Sequence, residues 1–268
     1  MGPRAVDFRP ETLVAIDTVE RALELARQGS GAGQITSKGG RDIVTATDVA
    51  VEDLVRDRVS RALGVPVVGE ERGGEAPADG SPYWLVDPIC GTRNFASGSP
   101  LYCVNLALVE RNQISLAVVG DPSTADVLVA ERGYGAWALR GGGRRRLRTD
   151  EQSYTVIIEI GRAPTPRRER AAEFLAGAAR LDRWDLRALG TTLSLPYVAA
   201  GRVAAYVLFW ASAVHTGAGS LLVTEAGGSL SDIDGRPWTI RSDSIVASAT
   251  PNLHRDLVEL VQRTTLNR

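Results

Sequence analysis

The chain has 268 residues, 44% of them hydrophobic and 24% charged, with a net charge of −1. That length can bury a full core, and the near-neutral balance gives no support to binding of nucleic acid or of a membrane surface. No apolar run approaches the roughly 18 residues needed to span a bilayer, and the N-terminus shows no leader pattern. Cys90 and Cys103 are too few for a disulfide framework, so a cytoplasmic protein with reduced thiols is expected.

Thr12 to Gln28 carries apolar residues at helical spacing and ends at Gly29. A Gly/Ser-rich segment, Gly29 to Gly40, contains Lys38, and a second amphipathic helix runs through Val51, Leu54, Val55, Val59 and Leu63. Gly64 to Gly69 reads as a short strand running into Glu70 and Glu71, and Gly73–Pro82 as a surface loop. Tyr83 to Val86 is a buried strand that delivers Asp87 to its C-terminal end, where α/β proteins usually place ligands.

Tyr102–Val109 and Ile114–Gly120, separated by a polar turn, form a hairpin signal, and Val127–Ala130 and Gly135–Leu139 continue the strands. Gly141 to Arg146 is a basic run that reads as a solvated turn. Then come a strand at Val156–Ile160, a helix at Arg167–Leu181, a helix at Gly190–Ala200 and a strand at Val203–Phe209. His215 opens a helix closed by Gly227 and Gly228, Ser229–Asp234 and Ile245–Ala249 are strands, and Leu253–Arg263 is a final amphipathic helix with His254 on its surface. Interleaved strands and helices fit layered sheets and helices rather than a bundle or a sandwich.

The acids have a pattern. Glu70, Glu71 and Asp87 follow short apolar strands, and Asp48 stands where a helix begins. Carboxylates gathered in one place repel unless a cation lies between them, and all-oxygen sets suit hard ions such as Mg²⁺ or Mn²⁺. Asp48 reads equally as a capping box with Thr45, and Glu71 as a solvated strand end. Gly91-Thr92-Arg93-Asn94 opens a helix whose first amides and dipole favour an anion. A metal beside anion-ready amides suggests phosphoryl chemistry.

These motifs resemble the inositol monophosphatase family. The family's Asp-Pro-Ile-Asp-Gly-Thr-x-Asn-Phe run stands here as Asp87-Pro-Ile-Cys-Gly-Thr-Arg-Asn-Phe95. Its upstream Gly-Glu-Glu matches Gly69–Glu71, its Val-Thr-x-x-Asp matches Val44–Asp48, and a preceding lysine matches Lys38. Its Trp-Asp-x-Ala-x-Gly, leading to Glu-Ala-Gly-Gly, matches Val214–Gly219 and Glu225–Gly228. The resemblance implies an α/β, layered αβαβα sandwich of the inositol monophosphatase and fructose bisphosphatase type, a single domain over 1–268. Its N-terminal half, about 1–140, would hold most metal ligands, and 141–268 would form the C-terminal half.

It also implies a homodimer that hydrolyses a small phosphorylated metabolite with Mg²⁺. Glu70, Asp87 and the carbonyl of Ile89 would hold one metal, with Asp87 bridging to a second. Asp48 and Thr92 match the pair that orients an attacking, metal-activated water, with Glu70 also catalytic. Gly91, Thr92, Arg93 and Lys38 would bind the phosphorylated substrate. An Arg93 guanidinium could make up lost metal charge; it reads equally as a solvent-facing loop arginine.

Two family aspartates are replaced, by Cys90 and His215, and both belong to the second metal. Asp87, Cys90 and His215 make a softer set that could take Mn²⁺ or Zn²⁺. Cys90 beside a helix N-terminus is expected to have a lowered pKa, and His215 at another helix start a neutral ring. On the alternative view the second metal is weakened or lost, Cys90 is a small half-buried thiol, and His215 is a core histidine. A cysteine-phosphatase mechanism is excluded, because the arginine it needs six residues on is Ala96. Inositol-cleaving members place an acid about seven residues before the second-signature aspartate. Here that neighbourhood is Val207–Ala211, which cannot pair with polyol hydroxyls; Trp210 receives no role. A member of another class, a catalytically weak or inactive chain that binds a phosphate ligand or a protein, remains the alternative.

Overall fold

The computed structural model describes residues 8–31, 35–39 and 42–266. Part of the Gly29–Gly40 segment, and the side chain of Lys38, therefore lie outside the described residues. The chain begins with α1 (Pro10–Gly29), β1 (Ile35–Gly39), β2 (Asp42–Thr45), α2 (Ala46–Ala62), β3 (Val67–Gly69), β4 (Tyr83–Cys90) and α3 (Thr92–Ala96). A meander follows: β5 (Cys103–Glu110), β6 (Gln113–Asp121), β7 (Asp126–Glu131), β8 (Gly135–Arg140) and β9 (Gly143–Arg146). The remainder is β10 (Thr155–Glu159), α4 (Thr165–Leu181), β11 (Asp185–Arg187), α5 (Ser194–Ala199), β12 (Ala205–Leu208), α6 (Ala213–Glu225), β13 (Ser229–Ser231), β14 (Ile245–Ser248) and α7 (Pro251–Leu266).

Two large sheets organise these elements. One has seven strands in the order β3-β4-β5-β6-β7-β8-β9, the other five in the order β11-β10-β12-β14-β13. Alternation along Tyr83–Asp87 of β4, along β5 and along Leu116–Val119 of β6 explains the layers. Trp84, Val86, Leu106, Leu108, Leu116 and Val118 pack with Val19, Leu23, Val51 and Val55 of α1 and α2. Their neighbours Leu85, Ala107, Val109, Ala117 and Val119 pack with α5, α6 and the inner face of the five-stranded sheet. The outer face of that sheet, with Val156, Val207 and Val246, is covered by Phe174 of α4 and by Leu257 and Val261 of α7. Helices, sheet, helices, sheet and helices follow one another, which is the layered αβαβα arrangement expected. Strands buried on both faces read as continuous apolar runs, and each fully buried Leu or Val contributes roughly 1.5–3 kcal/mol.

Three local expectations change. The basic run is not only a turn: Gly143–Arg146 forms β9, a fully exposed edge strand with Arg144 and Arg146 over the Trp137 ring. Charge on an exposed edge discourages further strand pairing. The helix expected over Gly190–Ala200 is confined to Ser194–Ala199, because the hydroxyls of Thr191 and Thr192 are bonded to partners far away in the chain. His254 is not simply on the surface: its Nε2 lies 2.9 Å from Ser231 Oγ and its Nδ1 3.2 Å from Ser248 Oγ, and burial lowers its pKa. Among the described residues no helix is long and apolar enough to cross a membrane.

Candidate active site

The site begins with an irregularity in β4. Asp87 pairs with Asn105 on β5, yet Cys90 pairs with Cys103, so three steps along β4 face two along β5. In a regular strand, residues three apart point to opposite faces. The extra residue reverses that parity and brings the side chains of Asp87 and Cys90 to one face, while Ile89 packs into the core on the other. Pro88 lies within the irregular segment, where a ladder hydrogen bond is not required of it.

Helix α6 enters this face. His215 Nδ1 lies 2.9 Å from Asp87 Oδ2 and 3.9 Å from Glu70 Oε2. Asp87 is fully buried, whereas the His215 side chain is 30% exposed, so the imidazole is the more solvent-facing of the pair. Asp87, Cys90 and His215 each offer one ligand atom, all within 4.8 Å of one another. The second carboxylate oxygen of Asp87, Oδ1, is buried with no hydrogen-bond partner. A buried orphan acceptor is costly, and a cation is the natural group to satisfy it.

Protonation follows from this crowding. Burial, with the neighbouring Cys90, pushes Asp87 up to about 7 in spite of His215 and Glu70. Burial alone would lower His215, but its bonds to Asp87 and Cys90 and the charges of Asp87 and Glu70 hold it well above the usual histidine value. The expected neutral ring is therefore corrected: near neutrality and without a cation, the Asp87–His215 pair holds a proton. The expected lowering of Cys90 is corrected as well. A hydrogen bond with Cys103 comes first and burial second, and together they raise the thiol well above its ordinary value. The adjoining helix α3 is only five residues long, so its dipole is weak.

Asp48 forms the expected capping box and also meets Thr92. Thr45 caps α2, and Asp48 Oδ2 accepts the Thr45 amide at 2.9 Å, closing the capping box. Its other oxygen, Oδ1, lies 3.1 Å from Thr92 Oγ1, which is also 3.2 Å from the carbonyl of Ile89. Asp48 is fully buried, and burial raises its pKa against the bonds from Thr45 and Thr92. Gly91 initiates α3 at φ 107°, a conformation that side chains disfavour, and an added Cβ would stand 3.0 Å from the Leu101 carbonyl. Arg93 is exposed on α3. Lys38 lies in β1, and its side chain is outside the described residues.

Residues not singled out in the sequence complete the surroundings of Cys90. Its sulfur lies 2.9 Å from Thr192 Oγ1 and 3.4 Å from the Thr192 amide, while Thr191 Oγ1 donates to the Cys90 carbonyl at 2.7 Å. Asn105 Nδ2 donates to Thr192 Oγ1 at 3.1 Å and reaches the His215 carbonyl at 3.5 Å. With Asn105 donating to it, the Thr192 hydroxyl is free to direct its own proton at the sulfur. Only pairing across about 100 residues reveals this. No local pattern in the sequence announces it.

The donors divide by chemistry. Asp87, Cys90 and His215 offer O, S and N, a set that fits a softer divalent ion, and Glu70, with Oε2 3.9 Å from His215 Nδ1, adds oxygen beside them. Beside them stand a buried hydroxyl–carboxylate pair and a glycine turn. The layered fold and this cluster define an α/β protein with a candidate metal centre at the bulged end of β4.

Comparison with known proteins narrows the class. The model of the inositol monophosphatase family matches residues 7–266. An inositol-1-monophosphatase of Mesorhizobium japonicum is 34% identical over 235 residues, covering 86% of each chain. The inositol-1-monophosphatase ImpA of Mycolicibacterium smegmatis is 33% identical, covering 96% of each. A solved inositol monophosphatase from Thermotoga maritima superposes with a TM-score of 0.82 at 26% identity, over 94% of this chain and 96% of that one. The chain belongs to the inositol monophosphatase family. Membership supports a metal-dependent phosphatase.

Proposed function

We propose that the protein is a phosphoric monoester hydrolase acting on a small phosphorylated metabolite: an inositol phosphate, a sugar phosphate or a nucleotide-like ester. The observation that carries this is the orphaned Asp87 Oδ1, buried in the group formed with Cys90 and His215 and next to Glu70. Glu70, Asp87 and the Ile89 carbonyl would hold Mg²⁺. Asp87, Cys90 and His215 would hold the second divalent ion, Mn²⁺ or Zn²⁺ in preference to Mg²⁺. Bound divalent ions polarise the phosphoryl oxygens and acidify water to a usable nucleophile.

The chain's own groups do the rest. Thr92 donates to Asp48, which leaves the Thr92 oxygen to accept a hydrogen bond from the attacking water and so orient it. Asp48, held by Thr45 from below, fixes that hydroxyl. The amides of Gly91 and Thr92 and the Arg93 guanidinium would receive the phosphate, with Lys38 as a further cation. Val207–Ala211 offers no carboxylate to a polyol; Val207 and Phe209 are buried in the core, and Trp210 is stacked under Arg167 at 4.8 Å. This weighs against recognition of polyol hydroxyls there. On the family pattern, residues 1–268 would act as one domain in a cytoplasmic homodimer.

The test is metal analysis of the purified protein, followed by a panel of sugar, inositol and nucleotide monophosphates with Mg²⁺, Mn²⁺ and Zn²⁺. Release of phosphate that Asp87→Asn abolishes is the expected result. Absence of turnover with every ion would contradict the proposal and favour a protein that binds a phosphate ligand without hydrolysing it.

A further inference from the structure

Glu52 lies on α2 one turn beyond Asp48, and although acidic it is fully buried. Its carboxylate does not face the metal ligands. It faces the turn that follows β3, the turn that carries Glu70. Oε2 accepts the amide of Glu71 at 2.7 Å, and Oε1 accepts the amide of Arg72 at 3.0 Å. Arg56, one helical turn on, donates its Nε to Oε1 at 2.8 Å. The same guanidinium reaches the carbonyl of Val67 at 3.0 Å and that of Gly73, so it ties both ends of the turn to α2.

The residue before Glu70 confirms how closely the carboxylate is seated. A Cβ added to Gly69 would lie 2.1 Å from Glu52 Oε1. The acid occupies the space a side chain at position 69 would take, so any side chain there would have to displace the carboxylate. The turn is closed by the Gly69 amide on the Gly73 carbonyl at 2.9 Å, and the Glu70 amide is fixed to the Val86 carbonyl of β4 at 3.2 Å. Glu70 thus stands between two anchors, β4 before it and Glu52 behind it. From there its Oε2 comes within 3.9 Å of His215 Nδ1. Burying an acid costs desolvation, and an apolar residue would fill the same volume without leaving a charge to compensate. What only the acid supplies is acceptance of two inward-pointing amides at fixed positions.

We propose that Glu52 is a positioning residue of the metal centre: by holding the Glu71 and Arg72 amides it sets where the Glu70 carboxylate stands beside Asp87. The proposal rests on Glu70 and Asp87 being metal ligands, as given above. Groups that orient ligands from behind typically change metal affinity by about 10–100-fold when altered.

The test uses Mn²⁺ as the probe, with binding to the folded, chelator-stripped full-length protein measured by titration calorimetry well below its melting temperature. Glu52→Gln keeps the shape but weakens acceptance of the amides; Gly69→Ala keeps the acid and displaces it. Asp53→Asn removes an exposed ion pair with the same Arg72, 2.7 Å long, and serves as the control. The expected result is about 10–100-fold weaker Mn²⁺ binding in the first two variants and unchanged binding in the control. In turnover assays the Mg²⁺ concentration for half-maximal rate rises by the same factor, while kcat at saturating Mg²⁺ is retained. A merely structural role would lower the melting temperature and leave the affinity of the folded protein unchanged. If Glu52→Gln does not fold, Gly69→Ala decides alone. Wild-type Mn²⁺ affinity in the folded variants overturns the proposal. A wild-type protein that binds no Mn²⁺ overturns the ligand assignment beneath it instead, so the two failures are distinct.

Discussion

Asp87 has two sides. In the proposed centre Glu70 and the Ile89 carbonyl would present oxygen, as a hard cation demands, while Cys90 and His215 present sulfur and nitrogen within 4.8 Å of an Asp87 oxygen. Asp87, the Ile89 carbonyl and Cys90 come from the bulged β4, while Glu70 comes from the turn after β3 and His215 from α6. Three elements therefore aim these groups, and donor chemistry can be exchanged on each without altering the others. In this protein the difference between the two sides lies in the side chains themselves and in what supports them: Glu70 has a backbone turn behind it, and Cys90 has the Thr192 hydroxyl and amide.

Removing the shared residue should erase the distinction. Asp87→Asn is expected to abolish metal binding on both sides and reduce turnover by about 10²–10³-fold or more, the scale of losing a central electrostatic group. Calorimetry with Mg²⁺ and Zn²⁺ and a phosphate-release assay check this. Retained activity would separate Asp87 from the chemistry.

Exchanging the soft side for oxygens should remove the asymmetry while keeping the site. Cys90→Asp with His215→Asp is expected to shift preference from Zn²⁺ toward Mg²⁺, by about 10-fold or more in relative affinity. A smaller effect on the same side is expected for Thr192→Val, which removes the hydroxyl at Cys90 Sγ but keeps the volume. Zn²⁺ binding should weaken by about 10-fold, near the lower end for such supporting groups, with Mg²⁺ binding at Glu70 unaffected. Equal losses for both ions would mean that Thr192 supports the fold rather than the sulfur.

The gentlest probe is pH. In the chelated protein Asp87 is raised from an ordinary 3.8 to about 7, and His215 is raised as well. Groups whose folded pKa is raised stabilise the fold fully below their unfolded values, and that contribution is lost as pH rises through the folded ones. The melting temperature of the chelated protein should therefore fall from about pH 5 to about pH 8 through this pair. With Zn²⁺ present the trend should reverse over that interval, because metal competes with protons for the same ligands. His215→Asn should remove only the histidine's share of the fall and leave that of Asp87, which burial raises and the imidazole otherwise holds down.

Much of the layered fold is written plainly in the chain, because β4, β5 and β6 are buried on both faces and so read as unbroken apolar runs. Asp87 was also legible as a buried acid of the candidate site, since a carboxylate at the end of such a run is conspicuous. The β4 irregularity was not, because a bulge is a property of pairing and β4 alone does not show that Cys90 opposes Cys103. Thr192 was missed for a related reason: it lies about 100 residues from its partner, in a stretch that reads as helix by composition. The low pKa expected of Cys90 failed because proximity to a helix start was weighed without the sulfur's burial and its neighbour Cys103. For Asp48 the two alternatives were never exclusive, since one carboxylate has two oxygens and uses one for the cap and one for Thr92.

The claim at the centre of this account is that Cys90 is a metal ligand. Titration of the chelator-stripped protein with Co²⁺, followed by near-ultraviolet absorption, tests it directly, because a thiolate bound to Co²⁺ gives a charge-transfer band that carboxylate and imidazole do not. The account predicts that band in the wild-type protein, saturating at one ion per chain, and its loss in Cys90→Ser with the other Co²⁺ bands retained. Saturation by Co²⁺ with no such band would contradict it.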